Sequence, residues 1–263
     1  MEVIICPDTQ EMGRLAARHI VSVLRTREHP VLGVATGSSP LSTYEGLAEL
    51  SAQGRADFSE LSAFALDEYV GVPADDERSY AATIRHTVTE QLGLDPQRVH
   101  TPDGMTDDLE AGCEAYEQAI REAGGIDIQI LGIGGNGHIG FNEPTSSLAS
   151  RTRVKTLAPR TRADNARYFN EGEQVPTHCV TQGLGTIMDA RHVVLLADGE
   201  RKAAAVAAAV EGPVSAMCPA SVLQMHRHAV IVVDEGAASQ LRMADYYRHV
   251  WECQPEGMRT GEL

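Results

Sequence analysis

No run of 18 apolar residues occurs in this 263-residue chain, so it offers no segment suited to a membrane-spanning helix. The N-terminus, MEVIICPDTQEMGRL, carries acids ahead of its first basic residue, Arg14, and lacks the sustained apolar core of a secretory signal. A cytoplasmic protein that meets no membrane is expected. Positive charge is also scarce: 22 Lys and Arg face 37 Asp and Glu, and the formal net charge of −15 repels polyanions. Nucleic acid is therefore not an expected partner, and a small anionic ligand would need a local positive site. The cysteines, Cys6, Cys113, Cys179, Cys218 and Cys253, are odd in number and scattered without a C-x-x-C pair, which argues against a disulfide framework or a zinc knuckle. Neither an H-E-x-x-H zinc motif nor a Walker loop is present, and no metal is expected.

What the chain does contain is 43% hydrophobic residues, enough for a sizeable core. Short apolar runs at 3–6, 31–35, 62–66, 126–131, 192–197 and 228–233 read as strands. They alternate with amphipathic stretches at 40–50, 79–92, 107–123, 160–170, 200–210 and 237–251 that suit helices, and an earlier helix opens on a capping box of Asp8 and Glu11. This alternation predicts an α/β fold: an open, mainly parallel sheet covered by helices on both faces, Rossmann-like in pattern. With no internal repeat, low-complexity tract or linker, residues 1–263 read as a single domain.

Ligands of such sheets sit at the carboxyl ends of the strands, and four polar loops fall there. The first, ATGSSPLSTY, passes from a strand through Thr36, Gly37, Ser38 and Ser39 into a helix, and the free N–H groups of a helix start suit a phosphate. An ordinary serine-capped helix is the competing explanation. The second, ALDEYVGVP, ends a strand in two adjacent acids; alternation turns only one of them to the crevice, and Asp67 is the better candidate for a general base than Glu68. A pair of solvated loop acids is the plain alternative. The third, LGIGGNGHIGFNEP, has the G-x-G-x-x-G spacing of a dinucleotide loop at Gly132, Gly134 and Gly137. No helix start follows, and the position for a ribose-binding acid falls within the basic segment RTRVKT, so an active-site loop fits better. In it His138 and Glu143 stand five apart, close enough for a carboxylate to orient an imidazole. The fourth places Lys202 in the first turn of a helix, where the dipole disfavours a cation unless an anion binds. Between the last two lies RTRVKTLAPRTRADNAR, with six basic residues and one acid, a local +5 (6 − 1) that includes Arg153, Lys155 and Arg167.

Together, LDEYVG (66–71), GNGHIGFNEP (135–144), SSLASRTRVKTL (146–157) and AAAVEG (207–212) closely resemble the glucosamine-6-phosphate deaminase family, and the resemblance spans nearly the whole chain. These motifs are long and specific. The resemblance implies a hydrolase of amino-sugar and N-acetylglucosamine catabolism that turns glucosamine 6-phosphate and water into fructose 6-phosphate and ammonia without a cofactor. It implies Asp67 as the base moving a proton from C2 to C1, His138 helped by Glu143 in ring opening, and the Thr36–Ser39 loop, Arg167 and Lys202 as the phosphate clamp. Many members carry Asp where this chain has Asn136, which can hydrogen-bond the histidine but not stabilise its cation by charge. Some members are hexamers activated by N-acetylglucosamine 6-phosphate, and Ser146, Arg153 and Lys155 match residues of that effector site. Homo-oligomerisation and activation stay open. Two other readings remain: a non-catalytic sugar-phosphate sensor marked by Asn136, and a hydrolase like the related 6-phosphogluconolactonases, whose loop departs from F-N-E-P.

Overall fold

The computed structural model describes residues 1–169, 173–255 and 260–261. The chain opens with β1 (Glu2–Cys6) and α1 (Thr9–Leu24), and the Asp8 carboxylate caps that helix by accepting the Glu11 N–H at 2.8 Å. Strand β2 (Val31–Val34), α2 (Leu41–Ala52) and β3 (Ser62–Ala65) follow, then a three-residue strand, β4 (Asp67–Tyr69). Helix α3 (Tyr80–Ile84) runs through a π-helical turn, Arg85–Thr89, into α4 (Glu90–Leu92), so the expected helix at 79–92 is present with its middle widened. Next come β5 (Val99–His100), α5 (Leu109–Glu122) and β6 (Ile128–Gly132).

The second half holds β7 (Arg153–Thr156), α6 (Pro159–Asn165), β8 (His178–Thr181), α7 (Leu184–Met188), β9 (His192–Ala197) and α8 (Ala203–Glu211). It closes with β10 (Ala229–Asp234), α9 (Glu235–Ala238) and α10 (Ala244–Glu252). The helix expected over 160–170 is α6 plus a 3₁₀ turn at Ala166–Tyr168, and Asn170 lies outside the described residues. The one expected over 237–251 is broken. There, Glu211 at the end of α8 accepts the backbone N–H groups of Arg242 and Met243 at 3.0 and 2.9 Å, taking donors that a continuous helix would use internally.

Seven strands form a wholly parallel sheet in the order β1-β10-β9-β6-β2-β3-β5. From β2 the chain steps outward to β3 and β5, whereas from β6 it steps the other way to β9 and β10. The order therefore reverses between β2 and β6, and the loops after those two strands flank the crevice of an open parallel sheet. Strand β9 is buried from Val193 to Ala197, and each such Val or Leu contributes about 1.5–3 kcal/mol over an exposed position. Helix α10 lies along β1, and Gln254 and Thr260 both hydrogen-bond the Glu2 carboxylate.

A second sheet, β4-β8-β7, is antiparallel and was not expected from the sequence. Its strands are three or four residues long, and β7 is built from the charge-rich RVKT, which reads as solvated surface. Its central Thr181 pairs with Asp67 on one side and Arg153 on the other, so this sheet ties the acidic strand end to the basic segment.

Candidate active site

Asp67 begins β4 directly beyond the end of β3, and its side chain is buried at 5% exposure. It points toward the glycine-rich loop: a Cβ built on Gly140 would sit 3.4 Å from Asp67 Oδ2. Burial, and next the negative charge of Glu68, push the Asp67 carboxyl up to about 8, partly opposed by the Phe141 N–H. No Lys or Arg lies within ion-pair distance of it among the described residues. Glu68 is not a solvated acid either. Its carboxylate accepts the N–H groups of Tyr69, Tyr80 and Ala81 at 2.7–2.9 Å, anchoring the start of α3. The two acids thus part as strand alternation predicts, one toward the loop and one into a helix start.

His138 and Glu143 meet as expected, with Nδ1 and Oε2 3.7 Å apart; that is ion-pair range but longer than a hydrogen bond. Nδ1 is buried without a hydrogen-bond partner, so the carboxylate favours the tautomer with its proton there and leaves Nε2 for a ligand. Burial raises the Glu143 carboxyl, but His138, Thr161 and Asn136 outweigh it and hold the group at about 2. A Cβ on Gly134 would overlap the His138 ring. The second glycine of the G-x-G-x-x-G spacing therefore makes room for an imidazole.

Asn136 departs from the expected contact with that imidazole. Its Nδ2 donates to Glu143 Oε2 at 2.7 Å, and its Oδ1 accepts the His138 backbone N–H at 3.2 Å. Its influence on the histidine passes through the carboxylate and the loop backbone rather than the ring.

The Thr36–Ser39 loop stands across the strand reversal. Gly37 adopts a φ of 103°, which favours glycine, and the N–H groups of Gly37, Ser38 and Ser39 have no hydrogen-bond acceptor among the described residues. Ser39 hydrogen-bonds Asp198. Pro40 is the N-cap of α2 rather than its first helical residue. Lys202 belongs to a 3₁₀ turn, Glu200–Lys202, immediately before α8, not to the helix itself. Its Nζ donates to the Ile133 carbonyl at 2.7 Å, which brings it to the strand end of β6. Burial lowers the Lys202 pKa, Asp198 and Asp164 oppose this, and Arg167 lowers it further, so two cations share this side of the crevice. Such a set, with open N–H groups opposite, can hold a phosphate monoester.

The remaining candidates are more dispersed. Ser146 is buried beside the site loop, its N–H bonded to the Glu143 carbonyl at 3.1 Å and its hydroxyl without a partner. Arg153 and Lys155 lie two apart on β7, and among the described residues no hydrogen bond or ion pair joins Ser146 to either. Arg151 is bound to Glu117 and Asp189, the usual end of a charge run. Sequence reasoning missed Thr161, whose hydroxyl reaches Glu143 from α6, and Asn142, whose Nδ2 donates to the carbonyls of Ile139 and Gln182 and fixes the turn. Asn142 had a signal in F-N-E-P; Thr161 had none.

The family model for glucosamine-6-phosphate isomerases/6-phosphogluconolactonase matches residues 8–232. The chain belongs to this family. Among relatives in the glucosamine-6-phosphate isomerase/6-phosphogluconolactonase family, a glucosamine-6-phosphate deaminase of Cutibacterium acnes is 70% identical over the full length of both chains. One of an Arthrobacter species is 56% identical, covering 97% of this chain and 98% of its own. Among solved structures, a monomeric glucosamine-6-phosphate deaminase superposes with a TM-score of 0.88 at 40% identity, over 91% of this chain and all of that one. The 6-phosphogluconolactonase of Trypanosoma cruzi, at 21% identity and a TM-score of 0.73 over 92% of this chain and 97% of its own, shares the fold. Among the described residues no helix is long and apolar enough to cross a membrane.

Proposed function

We propose that this protein, acting as one domain, converts D-glucosamine 6-phosphate and water into D-fructose 6-phosphate and ammonia. The observation that carries the proposal is Asp67: a buried carboxyl with no cation beside it among the described residues, its pKa pushed up to about 8, next to a loop bearing an imidazole–carboxylate pair. An aldose-to-ketose shift needs one group that takes a proton and gives it back, and a pKa near the working pH serves both directions. The deaminase relatives, up to 70% identical over the whole chain, support the same assignment.

In this reading the 6-phosphate sits between the N–H groups of Gly37, Ser38 and Ser39 and the cations Lys202 and Arg167. His138, oriented by Glu143, opens the pyranose by moving the C1 hydroxyl proton to the ring oxygen. Asp67 then removes the C2 proton and returns it to C1, while a proton passes from the C2 amine to O1, leaving an imine at C2. Water adds to that imine and ammonia leaves. These steps ask for no redox cofactor and are balanced by one water consumed per ammonia released. On the same resemblance we assign Ser146, Arg153 and Lys155 to binding a regulatory sugar phosphate; the unpartnered Ser146 hydroxyl supports that reading.

Purified protein given glucosamine 6-phosphate without added metal should release ammonia and fructose 6-phosphate in equal amounts. Tight binding without ammonia would instead mark a sensor. Hydrolysis of 6-phosphogluconolactone with no action on the amino sugar would mark a lactonase.

A further inference from the structure

Glu143 is gripped at both oxygens. Oε2 accepts Asn136 Nδ2 at 2.7 Å and faces His138 Nδ1, while Oε1 takes the hydroxyl of Thr161, 18 residues away on α6. Thr161 and Glu143 are buried to 4% and 6% exposure, so water does not compete for this bond. We propose that Thr161 is a positioning residue, whose hydroxyl fixes the carboxylate plane of Glu143 so that Oε2 stays turned to His138 Nδ1. The role rests on the function proposed above.

The physical need follows from the side chain itself. The last torsion of a glutamate is broad and two-fold, so one donor leaves the carboxylate free to pivot about the bonded oxygen. A second donor on the other oxygen removes that freedom. His138 Nδ1 has no hydrogen-bond partner and faces Glu143 Oε2 at 3.7 Å, so the plane of the carboxylate decides which nitrogen keeps the proton. Thr161 also sits on an element with an anchor of its own: Asn165 of α6 donates to the Tyr69 hydroxyl at 3.0 Å. Correct docking of α6 is thereby transmitted to the imidazole through a single hydroxyl.

The test compares Thr161→Val, which keeps the shape and removes the donor, with Thr161→Ser, which keeps the donor. Steady-state ammonia release should fall about tenfold or more in kcat for the valine variant, with KM changed less than about threefold, and the serine variant should recover to within about threefold of wild type. Nitrogen-15 NMR of the ligand-free protein should show His138 protonated at Nδ1 in wild type and T161S, and a mixture of tautomers in T161V. Should T161V not fold, Thr161→Ala is read in the same two ways. The proposal is overturned if T161V keeps both the wild-type kcat and tautomer, or if T161S is as impaired as T161V, since packing alone would then explain the loss. If wild type itself releases no ammonia, the functional reading fails, and the tautomer measurement still decides the role of Thr161.

Discussion

Two buried aspartates at opposite ends of the parallel sheet meet opposite fates. Asp127, at 3% exposure beside the start of β6, accepts the Val31 N–H at 2.9 Å and ion-pairs with Arg27 and Arg191, each at 3.0 Å. Asp67, at 5% exposure beyond the end of β3, has no such cation among the described residues and holds its proton up to about 8. The first is a doubly ion-paired carboxylate that ties β2 to β6; the second is a group able to exchange a proton near neutrality. Burial alone does not set the behaviour of either carboxyl, and the neighbouring guanidinium groups separate them. The histidines repeat the contrast. At the lower end His19 packs edge-on to His192, and His192 stacks on His228 at 4.9 Å, whereas at the upper end His138 faces the Glu143 carboxylate.

The sharpest test of this contrast exchanges each aspartate for its amide. Asp67→Asn should lower kcat by about 10²- to 10⁴-fold with little change in KM, because the amide keeps the shape but cannot accept a proton. It should also stabilise the fold by about 2–5 kcal/mol near pH 8. A carboxyl whose pKa is raised on folding contributes its full stability below its unfolded value, and that stability is lost as pH rises toward about 8. Asp127→Asn should leave turnover intact and cost about 1–3 kcal/mol, since Arg27 and Arg191 are about two-fifths exposed and water can take over their solvation. Denaturant melts and ammonia assays on the pair would break the comparison if the losses fell the other way round.

Next in size is the proposed phosphate clamp at the upper end of the sheet. Lys202→Ala should weaken glucosamine 6-phosphate binding by about 1.5–3 kcal/mol and leave binding of unphosphorylated glucosamine nearly unchanged. Equal losses on both sugars would remove Lys202 from the clamp.

A comparable effect, read in stability alone, belongs to the lower histidines. Burial, then the nearby His192, push the His19 pKa down to about 4, so the stability from keeping it neutral is complete above about 6.5 and lost as pH falls toward 4. His19→Gln should flatten this acid loss by about 2–3 kcal/mol without moving the activity profile. The smallest effect is expected at Asn136. Asn136→Asp would set a carboxylate against Glu143 Oε2, forcing the two acids to share a proton. An added ionisation in the kcat/KM profile, with rates within about tenfold, is the expected outcome; an unchanged profile would show that the pair is not coupled to turnover.

All six strands anticipated in the parallel sheet are present to within two residues, because buried parallel strands are written as continuous apolar runs such as HVVLLA. The antiparallel sheet was hidden for the converse reason: DEY, RVKT and HCVT are short and polar, and their pairing is set by distant partners. At the site, Asp67, His138 and Glu143 were legible because each follows a strand end or a glycine loop. The target of Asn136 was not, since an amide can turn either way and only the three-dimensional arrangement shows that Glu143, rather than the imidazole, takes its donor. Thr161 was masked by the arginines around it.

The packing of α10 along β1 bears on strand pairing between copies of the chain. A parallel sheet has two open edges, each able to recruit a strand from another chain. One edge, β5, is only two residues long and offers a poor template. The other, β1, is a five-residue strand of sequence EVIIC, shielded by α10 and by the side chains that bind Glu2. A chain truncated before Ala244 would present that apolar edge to solvent, and it should aggregate at concentrations where the full chain scatters no light. Protection of a strand edge is thus the role expected of the last helix, and the truncation tests it.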